Sequence, residues 1–283
     1  MKRSFFKILL FLLLALIAVF VCFPVLFLAA GSLMGNDELS TYLGPVLKGK
    51  EGYASWSLLP VYPTLRSIIQ LLLDSPEFFV MFWNSIKMTG LILLGQLLTG
   101  VPAAWGFAKL KIPHKHLIFN LYIVLMLMPF QVTMLSNYLT LDRLHLMNTQ
   151  WAVILPAVFS TFPVFIMYHF FSNIPDGIIE SAELDGAGPF QIFLWIGVPL
   201  GSSGIVSALV LSFLDAWNLI EQPLTFLKDK TLWPLSMYLP NISLDNAGLA
   251  FAASVLTLIP SLLVFLAGQN YLEQGITASA VKE

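Results

Sequence analysis

The sequence predicts an all-α integral membrane protein with about six transmembrane helices. Three observations lead there. Hydrophobic residues make up 58% of the 283 positions and charged residues only 11%, whereas a soluble domain carries roughly 25% charged residues. The mean hydropathy is +0.83. Six uncharged stretches cover 8–30, 88–108, 117–141, 144–175, 186–214 and 246–272. Each is longer than the ~18 residues that carry a helix across a hydrocarbon core. In lipid the backbone must pair within its own segment, so such runs form helices.

The elements follow in order. Residues 1–7 hold Lys2, Arg3 and Lys7, and the positive-inside rule puts this N-terminus in the cytoplasm. The first span is expected at 8–31. Its apolar run of about 23 residues exceeds the roughly 7–15 of a cleavable signal. Leu28-Ala29-Ala30-Gly31 is also a poor cleavage site, so the helix is read as uncleaved. Cys22, the single cysteine, is read as a small apolar filler that cannot close an internal disulfide. An extracytoplasmic loop at 32–77 contains Trp56, Pro60, Tyr62, Pro63 and Arg66 and suits a short amphipathic segment on the membrane face. Asp74-Ser75-Pro76-Glu77 then carries a helix-start pattern.

Further spans are expected at 78–108, 117–139 and 151–171, with Lys109, Lys111 and Lys115 in a short cytoplasmic loop. A second cytoplasmic loop, 172–197, carries Asp176, Glu180, Glu183 and Asp185 without Lys or Arg. That imbalance suits a protein partner better than an anionic membrane surface. A span at 198–220, an extracytoplasmic loop at 223–248, a last span at 249–270 and a cytoplasmic tail at 271–283 complete the chain. The transmembrane domain proper covers about 78–273.

Catalytic chemistry is not expected. His114, His116, His145 and His169 have no metal-ligand spacing, and His114 and His116 read as part of a solvated turn. No G-x-S-x-G elbow or paired carboxylates occur. Gly90 and Gly95 have P-loop spacing, but Gln96 and Leu97 stand where Lys and Ser/Thr are required. The sequence therefore predicts no catalytic residue, cofactor or metal, and nothing in it suggests nucleic-acid binding.

The informative stretch is 172–200. Ser172 or Asn173 can cap a helix whose first turn holds Pro175 and Asp176. Ile178, Ile179, Ala182 and Leu184 can share one apolar side, with Glu180 and Glu183 facing water. Gly186, Gly188 and Pro189 end that helix and begin another. A helix–turn–helix knob should project between the fourth and fifth spans. Its acids have two readings on these grounds: favourable charge at a helix N-terminus, or contact with a partner.

Glu180-Ser181-Ala182, Asp185-Gly186-Ala187 and Ile196-Gly197-Val198-Pro199 together resemble the EAA loop of bacterial ABC importer permeases. The family form is Glu-Ala-Ala, three residues, Gly, nine residues, Ile-x-Leu-Pro. Ser181 and Val198 are the departures. Asn84-Ser85-Ile86, 103–110, 128–132, 146–152, Leu155-Pro156 and the tail 275–282 are similar to the maltose-type carbohydrate permeases with six spans. Trp217-Asn218 matches a family pair, but Leu219 stands where an acid is usual. Asp215 and Glu221 are the available substitutes.

The resemblance implies a type I ABC importer permease fold with a cytoplasmic coupling helix seated in a cleft of the ATPase. It implies an inner-membrane location and these partners: a second permease, two ATP-binding subunits, an extracytoplasmic solute-binding protein, membrane lipid and a carbohydrate substrate. Glu180, Ser181, Ala182, Asp185, Gly186 and Ala187 would form the ATPase-coupling surface. Glu180 would supply a charged contact and Asp185 would brace the turn. Gly186 would permit a left-handed backbone. The loop at 223–248 would touch the binding protein.

From the residues themselves, Gln96, Gln131, Asn137 and Asn218 are candidates for a substrate path, because polar groups at membrane depth face a cavity or another helix. Gly90, Gly95, Gly100, Gly197, Gly201 and Gly204 suit close helix packing. The leading expectation is a permease subunit of a sugar importer. The same machinery could instead carry a polyol or glycerol phosphate. An ion-coupled carrier would favour intramembrane carboxylates and paired halves; only Asp215 is a deep acid here, and the halves show no repeat.

Overall fold

A computed structural model describes residues 2–47, 59–238 and 246–280, together with positions 53, 55 and 57. Trp56, most of the second half of the 223–248 loop, and Val281 and Lys282 lie outside the described residues. Among the described residues the regular structure is entirely helical. Among the described residues, four helical segments are long and apolar enough to cross a membrane: Phe6–Ser32, Pro76–Lys109, Trp151–Ser172 and Ala247–Glu273. Two bent pairs bring the number to six if each counts as one span.

The chain divides into two compact units. The first comprises Met1–Phe79 and Tyr238–Pro260. It holds α1 (Lys2–Ser32), α2 (Asn36–Leu47), α3 (Arg66–Asp74) and the first part of α14 (Ala247–Ala280). The most apolar window of α1 buries nothing against the rest of the chain, as a lipid-facing helix requires. Cys22 is exposed there, so it fills no core space. The end of α1 packs: Ala30 and, just beyond the helix, Met34 join Leu39 and Ala247 in a small core, and Phe27 meets Phe251 edge-on at 5.5 Å. Val61 N–H donates to Glu38 Oε1 at 2.9 Å and ties the first loop to α2.

The second unit comprises Val80–Met237 and Ser261–Glu283. It contains most of α4 (Pro76–Lys109), then α5 (Lys115–Leu127), α6 (Phe130–Arg143), α7 (Trp151–Val158) and α8 (Thr161–Ser172). After these come α9 (Asp176–Leu184), α10 (Pro189–Ile192), a π-turn at Phe193–Gly197, α11 (Val198–Leu200), α12 (Ser202–Trp217) and α13 (Glu221–Phe226). Its main core joins Val101 and Trp105 of α4, Met167 and Phe171 of α8, and Ile205 and Ala208 of α12.

Two expected straight spans are bent. The segment expected at 117–139 turns by 101° between α5 and α6. Met128 is extended (φ −74°, ψ 122°) because Pro129 follows it, and proline drives its predecessor out of the helical region while lacking a donor of its own. The helix expected to begin at 198 begins at Pro189 and turns by 69° before α12. A π-turn, Pro199 and the Gly201–Ser202 pair coincide at this bend, and each is a recognised cause of kinking.

Glycines set how closely α12 approaches α8. A Cβ on Gly201 would overlap the Phe171 ring, and one on Gly204 the Phe170 ring. Gly95 and Gly100 likewise face Val158 and Met167, and Gly197 faces Trp105. Gly90 departs from that pattern: a side chain there would meet open space.

Candidate functional site

The acidic elbow forms as a short helix with a defined stop. Neither Ser172 nor Asn173 caps the new helix: Ser172 is the last residue of α8 and Asn173 its C-cap, while Pro175 occupies the cap position of α9 and Asp176 its first turn. Ile179 and Ala182 pack against the main core, as does Ala187 beyond the turn. Ile178 and Leu184 do not join them. Ile178 is exposed and Leu184 is 89% exposed, because a nine-residue helix with a 100° step buries only one narrow stripe. The apolar seat is therefore Ile179, Ala182 and Ala187.

The stop is a Schellman motif. Ala187 N–H donates to Ala182 O and Gly186 N–H to Glu183 O, both at 3.0 Å, which is the paired 6→1 and 5→2 pattern. Gly186 sits at φ +85°, a left-handed conformation that costs a residue with a Cβ roughly 1 kcal/mol or more. Asp185 contributes through its backbone, with its N–H donating to Ser181 O at 3.0 Å. Its side chain makes no hydrogen bond or ion pair among the described residues, so it does not brace the turn as expected. Ser181 satisfies its hydroxyl within the helix by donating to Gly177 O at 2.7 Å. Gln191 Oε1 accepts from Gly188 N–H at 2.9 Å and starts the next helix.

Glu180, Glu183 and Asp185 are all exposed. None has a hydrogen-bond or salt-bridge partner among the described residues. Phe190 is 71% and Trp195 78% exposed beyond the turn. The elbow thus presents three free carboxylates and a flanking apolar rim to its surroundings.

One acid is paired. Lys109, at the end of α4, donates from Nζ to Asp176 Oδ1 and to Ile174 O, both at 2.6 Å. The Lys109 side chain is 9% exposed and that of Asp176 78%. The hydrogen bond from Lys109, reinforced by its charge, holds the Asp176 carboxyl below the usual carboxylate range. This pair escaped sequence reading, because 67 residues separate its members and no local pattern links them.

The four expected path residues separate. Gln96 and Asn137 line one cleft of about 520 Å³, together with Ser212, Asp215 and Gln222. Gln96 is buried and donates to Ala157 O at 2.9 Å, while its Oε1 and the Ser212 Oγ are buried without a partner among the described residues. Asn218 lines a second hollow with Asp215, Glu221 and Gln222, and its amide also donates to Leu214 O at 2.7 Å. Gln131 lines neither; it donates to Glu221 Oε1 at 2.7 Å. Leu219, which stands where the sequence resemblance led to the expectation of an acid, is buried in an apolar cluster. Ser212 and Gln222 were missed, since a serine and a glutamine give no spacing signal of their own.

The loop before the last helix is fastened from α4. Asn84 Nδ2 donates to Thr231 O at 2.7 Å and Trp233 O at 3.0 Å, and Ser85 Oγ accepts from Leu235 N–H at 2.7 Å. Asn148, at φ +58°, accepts from the N–H groups of Lys228 and Asp229 at 2.8 and 2.9 Å. Asp229 in turn caps the short turn Lys230–Leu232, and Thr231 holds its carboxyl below the usual range.

Residues 96–278 match the model of the family described as "Binding-protein-dependent transport system inner membrane component". The chain belongs to this family. The match spans the elbow, both hollows and the fastened loop. This transport component is 30% identical over 81% of its length, and 85% of the relative, to a probable ABC transporter permease protein of Pyrococcus horikoshii. It is 27% identical to the arabinooligosaccharides transport system permease protein AraQ of Halalkalibacterium halodurans, over 77% of this chain and 80% of that protein. It is 26% identical to the sn-glycerol-3-phosphate transport system permease protein UgpE of Pectobacterium atrosepticum, over 73% and 75%.

The fold matches the crystal structure of a bacterial ABC transporter that imports the acidic polysaccharide alginate. The TM-score is 0.79 at 19% identity, with 95% of this chain and 97% of that chain covered. The transport component is therefore an all-helical inner-membrane permease of the ABC importer type, and the ATPase of such a system is a separate subunit.

Proposed function

We propose that this permease forms half of the translocation path of an ATP-driven sugar importer and is driven through its acidic elbow by an ATP-binding subunit. The observation that carries the proposal is the Schellman-ended elbow with Glu180, Glu183 and Asp185 exposed and unpaired among the described residues. Free carboxylates on a fixed backbone suit a cationic groove on a partner, where charge-assisted bonds form without reordering the donor surface. Glu180 supplies the central charged contact, and the small residues Ser181, Ala182 and Ala187 keep the contact face low. Nucleotide-driven closure of the ATPase pushes the elbow, and the helices rock between two access states.

The remaining parts follow the same design. The basic N-terminus and the Lys109–Lys115 loop favour cytoplasmic termini, with the elbow on the same side. A second permease closes the path, two ATP-binding subunits sit beneath it, and a solute-binding protein docks on the opposite face near the fastened loop at 223–237. Gln96, Asn137 and Asn218 line the polar hollows on the path. The arabinooligosaccharide relatives favour an oligosaccharide as the solute.

The test replaces Cys22 with Ser and Glu180 with Cys, couples benzophenone-maleimide to the new thiol and photo-crosslinks the variant in membranes containing the co-expressed ATPase. A permease–ATPase adduct is expected. Persistent failure to form it, or labelling of position 180 from the extracytoplasmic side, overturns the proposal. The glycerol-phosphate relatives favour a second reading for the solute. Uptake of an arabinooligosaccharide against sn-glycerol 3-phosphate separates the two.

A further inference from the structure

We infer that Lys109 is the positioning residue that pins the pivot of the coupling elbow to helix α4, so that a push on α9 moves α4 as well as α8. This rests on the reading of α9 as the ATPase contact. α4 is an unbroken helix of 34 residues, about 51 Å long at 1.5 Å per residue. Its last residue reaches the link between α8 and α9 and bonds both ends of it: Ile174 O and Asp176 Oδ1, each at 2.6 Å.

The burial pattern separates this contact from an ordinary surface ion pair. An exposed pair contributes little to stability. The Lys109 side chain is 9% exposed, and a buried ammonium is tolerated only when it is paired and hydrogen-bonded. Its two acceptors lie where α8 ends and α9 starts, the point about which the elbow would swing. Lys115 lies near enough to favour the Asp176 carboxylate as well, but its ammonium donates to Ala108 O at 3.3 Å instead.

The apolar seat alone would not transmit force in a fixed direction. Ile179, Ala182 and Ala187 rest on the core by apolar contacts, which are non-directional, whereas two short charge-assisted bonds fix a geometry. Lys109→Met keeps the seat and removes the pin. Lys109→Arg keeps a cation and its donors. Asp176→Asn keeps the bond to Ile174 O and weakens only the other.

The experiment uses the assembled complex with its partner permease and ATPase in proteoliposomes, in a Cys22→Ser background, with ATP and vanadate as the only added ligands. Cysteines replacing Gly90, Leu94 and Leu98, which lie exposed along α4, are spin-labelled in detergent before reconstitution, and their label mobility is compared with and without nucleotide. In the parent, nucleotide changes the mobility at one or more of them. Lys109→Met is expected to shrink that change on the order of fivefold while the Glu180→Cys adduct with the ATPase persists. Lys109→Arg is expected to restore it.

A full parental response in Lys109→Met, or no α4 response in the parent, overturns the inference. Should Lys109→Met fail to assemble, Asp176→Asn decides: a partial loss supports the pin, and an unchanged response removes it. Loss of the adduct in the parent itself would instead sink the coupling reading, so the two failures are distinguishable.

Discussion

Ala187 N–H donates to Ala182 O at 3.0 Å across a left-handed Gly186. Those two alanines also share the apolar seat of the elbow, so one motif both ends α9 and fixes its acidic face. Replacing Gly186 by Val strains the turn by roughly 1–2 kcal/mol without touching any span. Uptake is expected to fall severalfold, while circular dichroism and the thermal midpoint of the purified complex stay near the parent. Normal uptake would show that the turn geometry is dispensable.

Glu180 is exposed and unpaired, so its removal leaves no buried partner stranded. Glu180→Gln is expected to weaken association with the ATPase by about 1–3 kcal/mol, with little effect on the isolated permease. Copurification at rising salt checks this: the parent complex should dissociate progressively as screening increases, and the variant earlier.

The α8–α12 contact depends on the absence of side chains at Gly201 and Gly204, whose Cβ positions are filled by Phe171 and Phe170. Gly204→Val overpacks this contact and is expected to cost about 1–3 kcal/mol or more. The readout is a lowered unfolding midpoint in detergent. Gly90→Val, in open space, is the matched control and should change stability by no more than about 0.5 kcal/mol.

The fastened loop gives a further test. Asn84→Leu removes both bonds to the carbonyls of Thr231 and Trp233 and leaves them without that donor, a loss of about 1–3 kcal/mol. Protease sensitivity at 227–237 is expected to rise, and docking of a solute-binding protein to weaken.

The pH dependence of the Lys109–Asp176 pair follows from the lowered Asp176 carboxyl. A carboxyl depressed in the folded state contributes stability that is fully present above its unfolded value near 4 and is lost as pH falls through the folded value. Hydrogen exchange of α9, corrected for intrinsic rates, is therefore expected to show constant protection from pH 8 to 5. Loss of protection within that window would show that another group controls the elbow.

Much of this architecture was legible in one dimension. Uncharged runs such as 8–30 and 246–272 exceed the length of a hydrocarbon core, and lipid offers the backbone no alternative to a helix. The stop at Gly186 was legible too, because the glycine requirement is local. The path residues were legible only as polar groups: Gln96 and Asn137 meet at one cleft, whereas Gln131 turns aside to Glu221.

By itself, then, the sequence determined that helices form, roughly where they begin, and that an acidic elbow interrupts them, since burial in lipid and backbone chirality act over a few residues. Tertiary structure alone decided the inward choice of Ile179 and Ala182 over Ile178 and Leu184, and the partner of Lys109. Those outcomes depend on which surfaces meet across long stretches of chain, and hydrophobic periodicity carries no record of that pairing.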